Sequence, residues 1–300
     1  MNIIEAQGLS RSYGRTEAVH ALDLRVPKGG VFGLLGSNGA GKTTTIRLLM
    51  NRLAPTGGSA LVMGVDSRRL GPRQFERIGY VSESLQLPLW MTVRGYLDYC
   101  RPFYPAWDRA LEARLLSQFE LPEDRKLSHL SRGMRMKAAL ASVLAFRPAL
   151  LVLDEPFSGL DPLVREEFTR GILEVSGQGD WTVLVASHDI EEVERLVDQI
   201  ALLDAGVLRL SESTDRLLGR FRKVEVTHCP PSAHPAPDMQ DWEQTGTFGR
   251  FISSTYDGAE TEKSWAERFR GASITLRPLT LREIFISVVK GNRHGRKVAP

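Results

Sequence analysis

The feature that most narrows what this 300-residue chain can fold into is the octapeptide Gly36-Ser37-Asn38-Gly39-Ala40-Gly41-Lys42-Thr43, because of what flanks it. Upstream is a short apolar run, Val31-Phe32-Gly33-Leu34-Leu35, of the kind that forms a buried strand. Downstream, Ile46, Leu48, Leu49 and Leu53 form an amphipathic helical stripe that is expected to run to the Pro55–Gly58 turn. Strand, glycine-rich turn and helix in this order form the phosphate-cradling unit of an α/β fold. The glycines let successive backbone N–H groups point inward as an anion nest. The positive end of the helix dipole aims at the same point. Lys42 supplies a fixed cation for a β- and γ-phosphate, and the hydroxyl of Thr43, followed by Thr44, is placed to ligate Mg²⁺. A chance glycine-rich turn would not bring strand, lysine, hydroxyl and helix in the right order.

A second element belongs with it. Ala149-Leu150-Leu151-Val152-Leu153-Asp154-Glu155 is an apolar strand that delivers two acids to a sheet edge. Asp154 is expected to hold Mg²⁺, and Glu155 to polarise an attacking water.

Around these elements the pattern alternates. Strands are predicted at Ile3–Leu9, Val19–Val26, Thr182–Ala186 and Ile200–Leu203, and helices at Pro162–Val175 and Asp189–Leu196. Residues Met91 to Phe146 read as helical, with Thr92 and Asp108 as N-caps. A mostly parallel α/β sheet with a helical insertion at about 84–147 follows. Cys229–Pro237 holds four prolines in nine residues, which breaks the chain. Beyond it, strands at Phe248–Ser253 and Ser273–Leu276 and helices at Thr261–Phe269 and Thr280–Lys290 describe a small α/β appendage. The division is therefore 1–219 and 220–300, the latter ending in a basic tail (Lys290, Arg293, Arg296, Lys297) that reads as a solvated end.

Composition excludes several classes. Hydrophobic residues at 42% and charged residues at 25% rule out a disordered or fibrous chain. A net charge of +3 is too mild to point to nucleic acid. There is no apolar run of membrane-spanning length. Met1–Ser10 has no basic stretch followed by an apolar one, so no secretory signal is expected. Cys100 and Cys229 make no metal-ligand pattern and fit a reducing compartment.

Five further motifs stand in a fixed order: Ser12-Tyr13-Gly14, Gly79-Tyr80-Val81-Ser82-Glu83, Leu130-Ser131-Arg132-Gly133-Met134, Ser158-Gly159-Leu160-Asp161 and Val185-Ala186-Ser187-His188-Asp189. With the phosphate elements, they make the chain resemble the nucleotide-binding subunit of ABC transporters over Ile3–Leu218, and within it the ABC-2-like bacterial exporter group. The resemblance implies a P-loop NTPase fold of ABC type, with an antiparallel β subdomain and a helical insertion, that binds ATP and Mg²⁺. It implies that Tyr13 stacks on adenine and that Glu83 occupies the Q-loop position, contacting nucleotide or metal. Ser131 and Gly133 would open a helix whose N–H groups close on the nucleotide of a partner subunit, and His188 would orient the water used by Glu155. It further implies two partners, a second ATP-binding subunit (the same or a different chain) and a multi-pass membrane permease, and a cytoplasmic location on the inner face of the cell membrane.

The chain departs from the family at two places. Glu83 stands where glutamine is usual, and Arg132 and Met134 stand in a signature that normally reads LSGGQ. Tyr96, Tyr99, Phe103, Tyr104 and Trp107 cluster in the insertion, which in the family flanks a groove for a short permease helix. The alternative is an ABC ATPase of DNA repair or translation. Against it, no sustained heptads separate Thr43 from Ser131, and the chain has one cassette.

Overall fold

A computed structural model describes residues 1–176, 181–230, 234–236 and 238–293. The chain divides into two compact units, Met1–Leu208 and Arg209–Pro300.

The first unit is built on two sheets. One is antiparallel, with strands in the order Thr16–Pro27, Asn2–Tyr13, Gly57–Val62 and Val65–Asp66. The other runs parallel through Gln199–Asp204, Gly30–Gly36, Thr182–Ser187, Leu150–Asp154 and Ile78–Ser82. Leu150–Asp154 is buried throughout, which is why its sequence is an unbroken apolar run and does not alternate. The core joins both sheets: Ile4, Leu9 and Leu22 pack in one cluster with Leu34, Ile46, Leu49 and Val152.

Register does the positioning. Leu35 lies beside Ser187, Ala186 beside Asp154, and Asp154 beside Ser82. The C-terminal ends of four parallel strands therefore share one sheet edge, and the loop leaving each carries a predicted site residue. Ligands bind at this edge in open α/β sheets.

The helical insertion follows the predicted caps. Thr92 Oγ1 accepts from the Gly95 N–H at 3.0 Å and opens Val93–Cys100. Asp108 Oδ1 accepts from Ala110 and Leu111 at 2.9 Å and opens Arg109–Gln118. Of the clustered aromatics, Tyr96 bonds Ser142 Oγ at 3.0 Å and Tyr104 stacks on Phe146 at 3.9 Å, while Tyr99 and Phe103 are exposed and meet edge to face.

Two predicted helices are shorter in the structure. The one after the phosphate loop is Lys42–Leu49, because Asn51 takes a left-handed φ of 55° and turns the chain. The one expected at Asp189–Leu196 is a single turn, Ile190–Val193. The strands Gly57–Val62 and Ile78–Ser82 had no periodic signal strong enough to predict them; their pairing partners define them.

The second unit contains a four-stranded antiparallel sheet in the order Met239–Thr245, Phe248–Ser253, Arg222–Thr227 and Ser273–Pro278. Val224, Val226 and Phe251 form its core with Trp265 and Phe269, and Trp242 stacks on Phe269. The last helix, Leu281–Arg293, is tied in by a buried chain: Ser287 donates to Gln240 at 2.8 Å, and Gln240 donates to Ser254 at 3.0 Å. Arg296 and Lys297 of the predicted tail, and Pro231 and Pro237 of the predicted break, lie outside the described residues.

Candidate functional site

The phosphate loop is shaped by glycines at places no side chain could occupy. Gly41 is the N-cap of Lys42–Leu49 with φ of 102°, and a Cβ there would lie 2.5 Å from the Ala18 carbonyl of the antiparallel sheet. No side chain caps this helix. Its first N–H groups are thus left to whatever anion arrives. Ser37, Asn38 and Gly39 form an exposed rim, whereas Ala40 is buried and accepts from the Gly206 N–H at 3.0 Å. Thr44, on the first helical turn, is half-buried.

Lys42 is 4% exposed, and its ammonium is fully committed. Nζ lies 2.8 Å from the Gly36 carbonyl, 3.2 Å from that of Ser37 and 3.1 Å from Glu155 Oε1. Backbone and a carboxylate thus hold the cation over the loop. The hydroxyl of Thr43 donates to Asp154 Oδ1 at 3.0 Å. Burial pushes the Asp154 carboxyl up, and neighbouring Glu155 adds to this; the Thr43 bond and the cations Arg47 and Lys42 pull the other way. A buried carboxylate beside a hydroxyl is a donor set that fits Mg²⁺, which takes few protein ligands and completes its shell with water and phosphate oxygens. Among the described residues no group of three or more His, Cys, Asp or Glu could hold a metal alone.

Glu155 is held at a left-handed φ of 53°, uncommon for a non-glycine residue. Its N–H donates to the Ala186 carbonyl at 2.9 Å. One carboxylate oxygen faces Lys42; the other meets His188 Nδ1 at 2.7 Å and the His188 N–H at 3.2 Å. Lys42, Glu155 and His188 are therefore one connected network, with Thr43 and Asp154 joined beside it.

The remaining predicted residues fall elsewhere. Ser131 Oγ accepts from the Met134 N–H at 3.1 Å, capping Arg132–Leu144, and Gly133 is packed so closely on Val164 that a Cβ would lie 3.0 Å from it. Neither is joined by a hydrogen bond to the Lys42 network. Tyr13 ends the Asn2–Tyr13 strand half-exposed, its ring covered by the Arg11 guanidinium at 4.7 Å, and is also outside that network. Glu83 hangs from the Asp154 carbonyl through its N–H at 3.0 Å, but its carboxylate turns to Arg132 Nη2 at 2.6 Å and Ser158 Oγ at 3.0 Å. The Arg132 bond chiefly holds the Glu83 carboxyl below the usual range, with partial burial opposing and Ser158 assisting. Sequence reasoning gave Ser158 no specific partner and treated Arg132 as a mere departure. The available signal was that the two departures carry opposite charge.

Beside Glu83 is a cavity of about 450 Å³, walled by Leu85, Leu87, Leu89, Arg135 and Met136. Trp90 stands next to it, 72% exposed.

Residues 19–158 match the family model for ABC transporter proteins. The chain is 28% identical to the ABC transporter ATP-binding protein YtrB of Bacillus subtilis, over 97% of this chain and 99% of that one. It is 34% identical to an uncharacterized ABC transporter ATP-binding protein, YhaQ, of the same organism, over 73% of this chain and 74% of the relative. Among solved structures, the ATP-binding subunit of an ABC transporter superposes with a TM-score of 0.65 at 26% identity, covering 72% of this chain and 91% of that one.

Proposed function

The chain belongs to the ABC transporter family of ATP-binding proteins, and from that premise we propose that it is the ATP-hydrolysing subunit that drives a separate membrane permease, in the outward direction. The observation that carries this is the network Lys42–Glu155–His188 with Thr43–Asp154 beside it, at the C-terminal edge of the parallel sheet.

The chemistry follows from that network. The Lys42 ammonium is held by carbonyls and Glu155, and a triphosphate would offer it several charged oxygens at the same place. The N–H groups of the loop and of the Lys42–Leu49 N-terminus bind the phosphate oxygens. Thr43 and Asp154 are assigned to Mg²⁺, which when bound neutralises developing charge on the phosphates. Glu155, released from Lys42, takes the proton of the attacking water, and His188 keeps that carboxylate turned toward the reaction. Tyr13 is assigned to adenine, and Glu83 to nucleotide or metal.

Donors on the far face of the γ-phosphate have to come from elsewhere. We assign them to Ser131 and Gly133 of a second subunit, the same chain or a related one, because neither joins the network within one chain. The permease is assigned to the cavity at Leu85–Leu89, where Leu85, Leu87, Leu89 and Met136 alternate with Glu83, Gln86 and Arg135, a mixed lining that suits a short amphipathic helix. The protein would then sit in the cytoplasm against the inner face of the membrane. Among the described residues no helix is long and apolar enough to cross it. Export rests on the resemblance of the Arg132 and Met134 departures to those of bacterial drug and antibiotic exporters. Residues 1–219 carry this activity, and 220–300 are accessory.

The test is Mg²⁺-dependent ATP hydrolysis by purified protein, with affinity capture from gently solubilised membranes. Hydrolysis together with a co-purifying multi-pass protein is expected. Capture of nucleic acid or ribosomes in its place would overturn the transport reading, and absence of hydrolysis the enzymatic one.

A further inference from the structure

Three loops far apart in sequence converge on one carboxylate oxygen. Arg132 Nη2 and Ser158 Oγ both donate to Glu83 Oε1, at 2.6 and 3.0 Å, across sequence separations of 49 and 75 residues. Each of the three residues is anchored to a different part of the site. Glu83 is bonded through its N–H to the carbonyl of Asp154, and Ser158 through its N–H to the carbonyl of Glu155, at 3.3 Å. Arg132 is the first residue of the helix capped by Ser131. The guanidinium also lies flat against Gly159, where a Cβ would come within 2.9 Å of Nη1, so the left-handed Gly159 leaves room for it.

We propose that Arg132 is a positioning residue for hydrolysis: through Glu83 and Ser158 it fixes the N-terminus of the signature helix relative to the strand end that carries Asp154 and Glu155. It rests on the function proposed above, in which Ser131 and Gly133 of one subunit meet the phosphate held at Glu155 of the other, so that the placement of helix start and strand end within each chain sets both shared sites. Gly133 already packs the start of this helix on Val164, and the Glu83–Ser158 contact gives it a second fixed point on the strand-end side. A glycine at 132 cannot reach Glu83. A glutamine at 83 could accept from the guanidinium but carries no opposite charge, so it would hold Arg132 less strongly than the carboxylate does. Both departures from the family pattern therefore serve one contact.

The pair is half-exposed, at 47% for Arg132 and 44% for Glu83. Such a pair adds little to global stability but sets local geometry. Its loss should therefore act on turnover and not on melting. The full-length chain is compared with Arg132→Gly, Arg132→Lys, Glu83→Gln and the Arg132→Gly/Glu83→Gln double variant. Steady-state ATPase and native-state hydrogen exchange of the nucleotide-free protein are measured for each. Arg132→Gly should lower kcat by about three- to tenfold with KM for ATP changed less than about twofold, and Arg132→Lys should recover most of the loss. In the Arg132→Gly background, Glu83→Gln should cost at least about threefold less than it does alone. Exchange at the 83–91 and 131–135 amides should rise in Arg132→Gly. Unchanged kcat, equal changes in kcat and KM, or independent costs of the two substitutions would overturn the proposal. So would unchanged exchange, a readout that holds even if the protein hydrolyses nothing. Absent hydrolysis with raised exchange would instead sink the proposed function and leave the clamp standing.

Discussion

Two helices in this molecule begin at motifs to which we assign phosphate binding, and their N-termini are built in opposite ways. Lys42–Leu49 opens on a left-handed glycine with no side-chain cap, packed so that its cation is buried and tied to the loop carbonyls. Arg132–Leu144 opens on Ser131, whose own hydroxyl already claims the Met134 N–H, and its first side chain is exposed and turned to Glu83. The first leaves its N-terminal N–H groups without a side-chain cap. The second satisfies one of its own, and on the proposed shared site would exchange that bond for one to a phosphate held by a partner. The difference teaches which half of a shared site a single chain can organise alone. On that proposal, burial fixes the half that carries the catalytic charge, while the Ser131 cap satisfies the other half within its own chain.

Breaking the first half should cost most. Glu155→Gln keeps size and hydrogen bonds but cannot accept a proton, so turnover should fall by about 10²–10⁴ while ATP still binds. Single-turnover hydrolysis measures this, and sizing in ATP should show a longer-lived dimer than wild type. Undiminished hydrolysis would move the base to another residue, Glu83 first. Lys42→Ala removes a buried cation whose partners are all in place, and ATP affinity should drop by about a hundredfold or more. Equilibrium binding together with an unchanged circular dichroism spectrum checks it; tight binding in this variant would refute the phosphate-loop assignment.

The next experiment sharpens the claim that the halves belong to different chains. Lys42→Ala and Ser131→Arg should each be inactive alone, but a mixture should recover activity, because a mixed dimer holds one site with both residues intact. Full activity of Ser131→Arg by itself would place the whole site within one chain. The smallest effect separates capping from function. Ser131→Ala should destabilise the protein by about 1 kcal/mol through loss of the N-cap, read by urea unfolding, with ATP binding to the single chain unchanged because Ser131 is assigned to a partner's nucleotide. An unaltered unfolding midpoint would mean that the serine is not held by its cap.

Much of this site was legible in the residues. The order of Gly36–Thr43, the acids after Leu150–Leu153, and the serine and histidine motifs could each be assigned a place because each depends on a local rule: an anion nest needs consecutive glycines, a buried strand needs unbroken apolar residues, an N-cap needs a hydroxyl. The caps Thr92 and Asp108 fell where expected for the same reason. Strands such as Gly57–Val62 carry no local signal because what stabilises them is pairing with residues 47 to 58 positions away. Helix length after the loop was overestimated because the apolar period runs past Asn51 to Leu53, which packs on the core from a turn.

By itself, then, the sequence determined the α/β class, the strand–loop–helix order of Gly36–Thr43, the acids after Leu150–Leu153 and the Ser131 helix cap, all of which follow from short-range patterns of shape and charge. Only the tertiary structure decided that Lys42 rests on Glu155, that His188 holds the other oxygen of the same carboxylate, and that Glu83 faces Arg132 and Ser158. Those contacts join residues brought to one sheet edge by parallel register, and register is set by how distant strands bury their apolar faces against each other, which no local run of residues encodes.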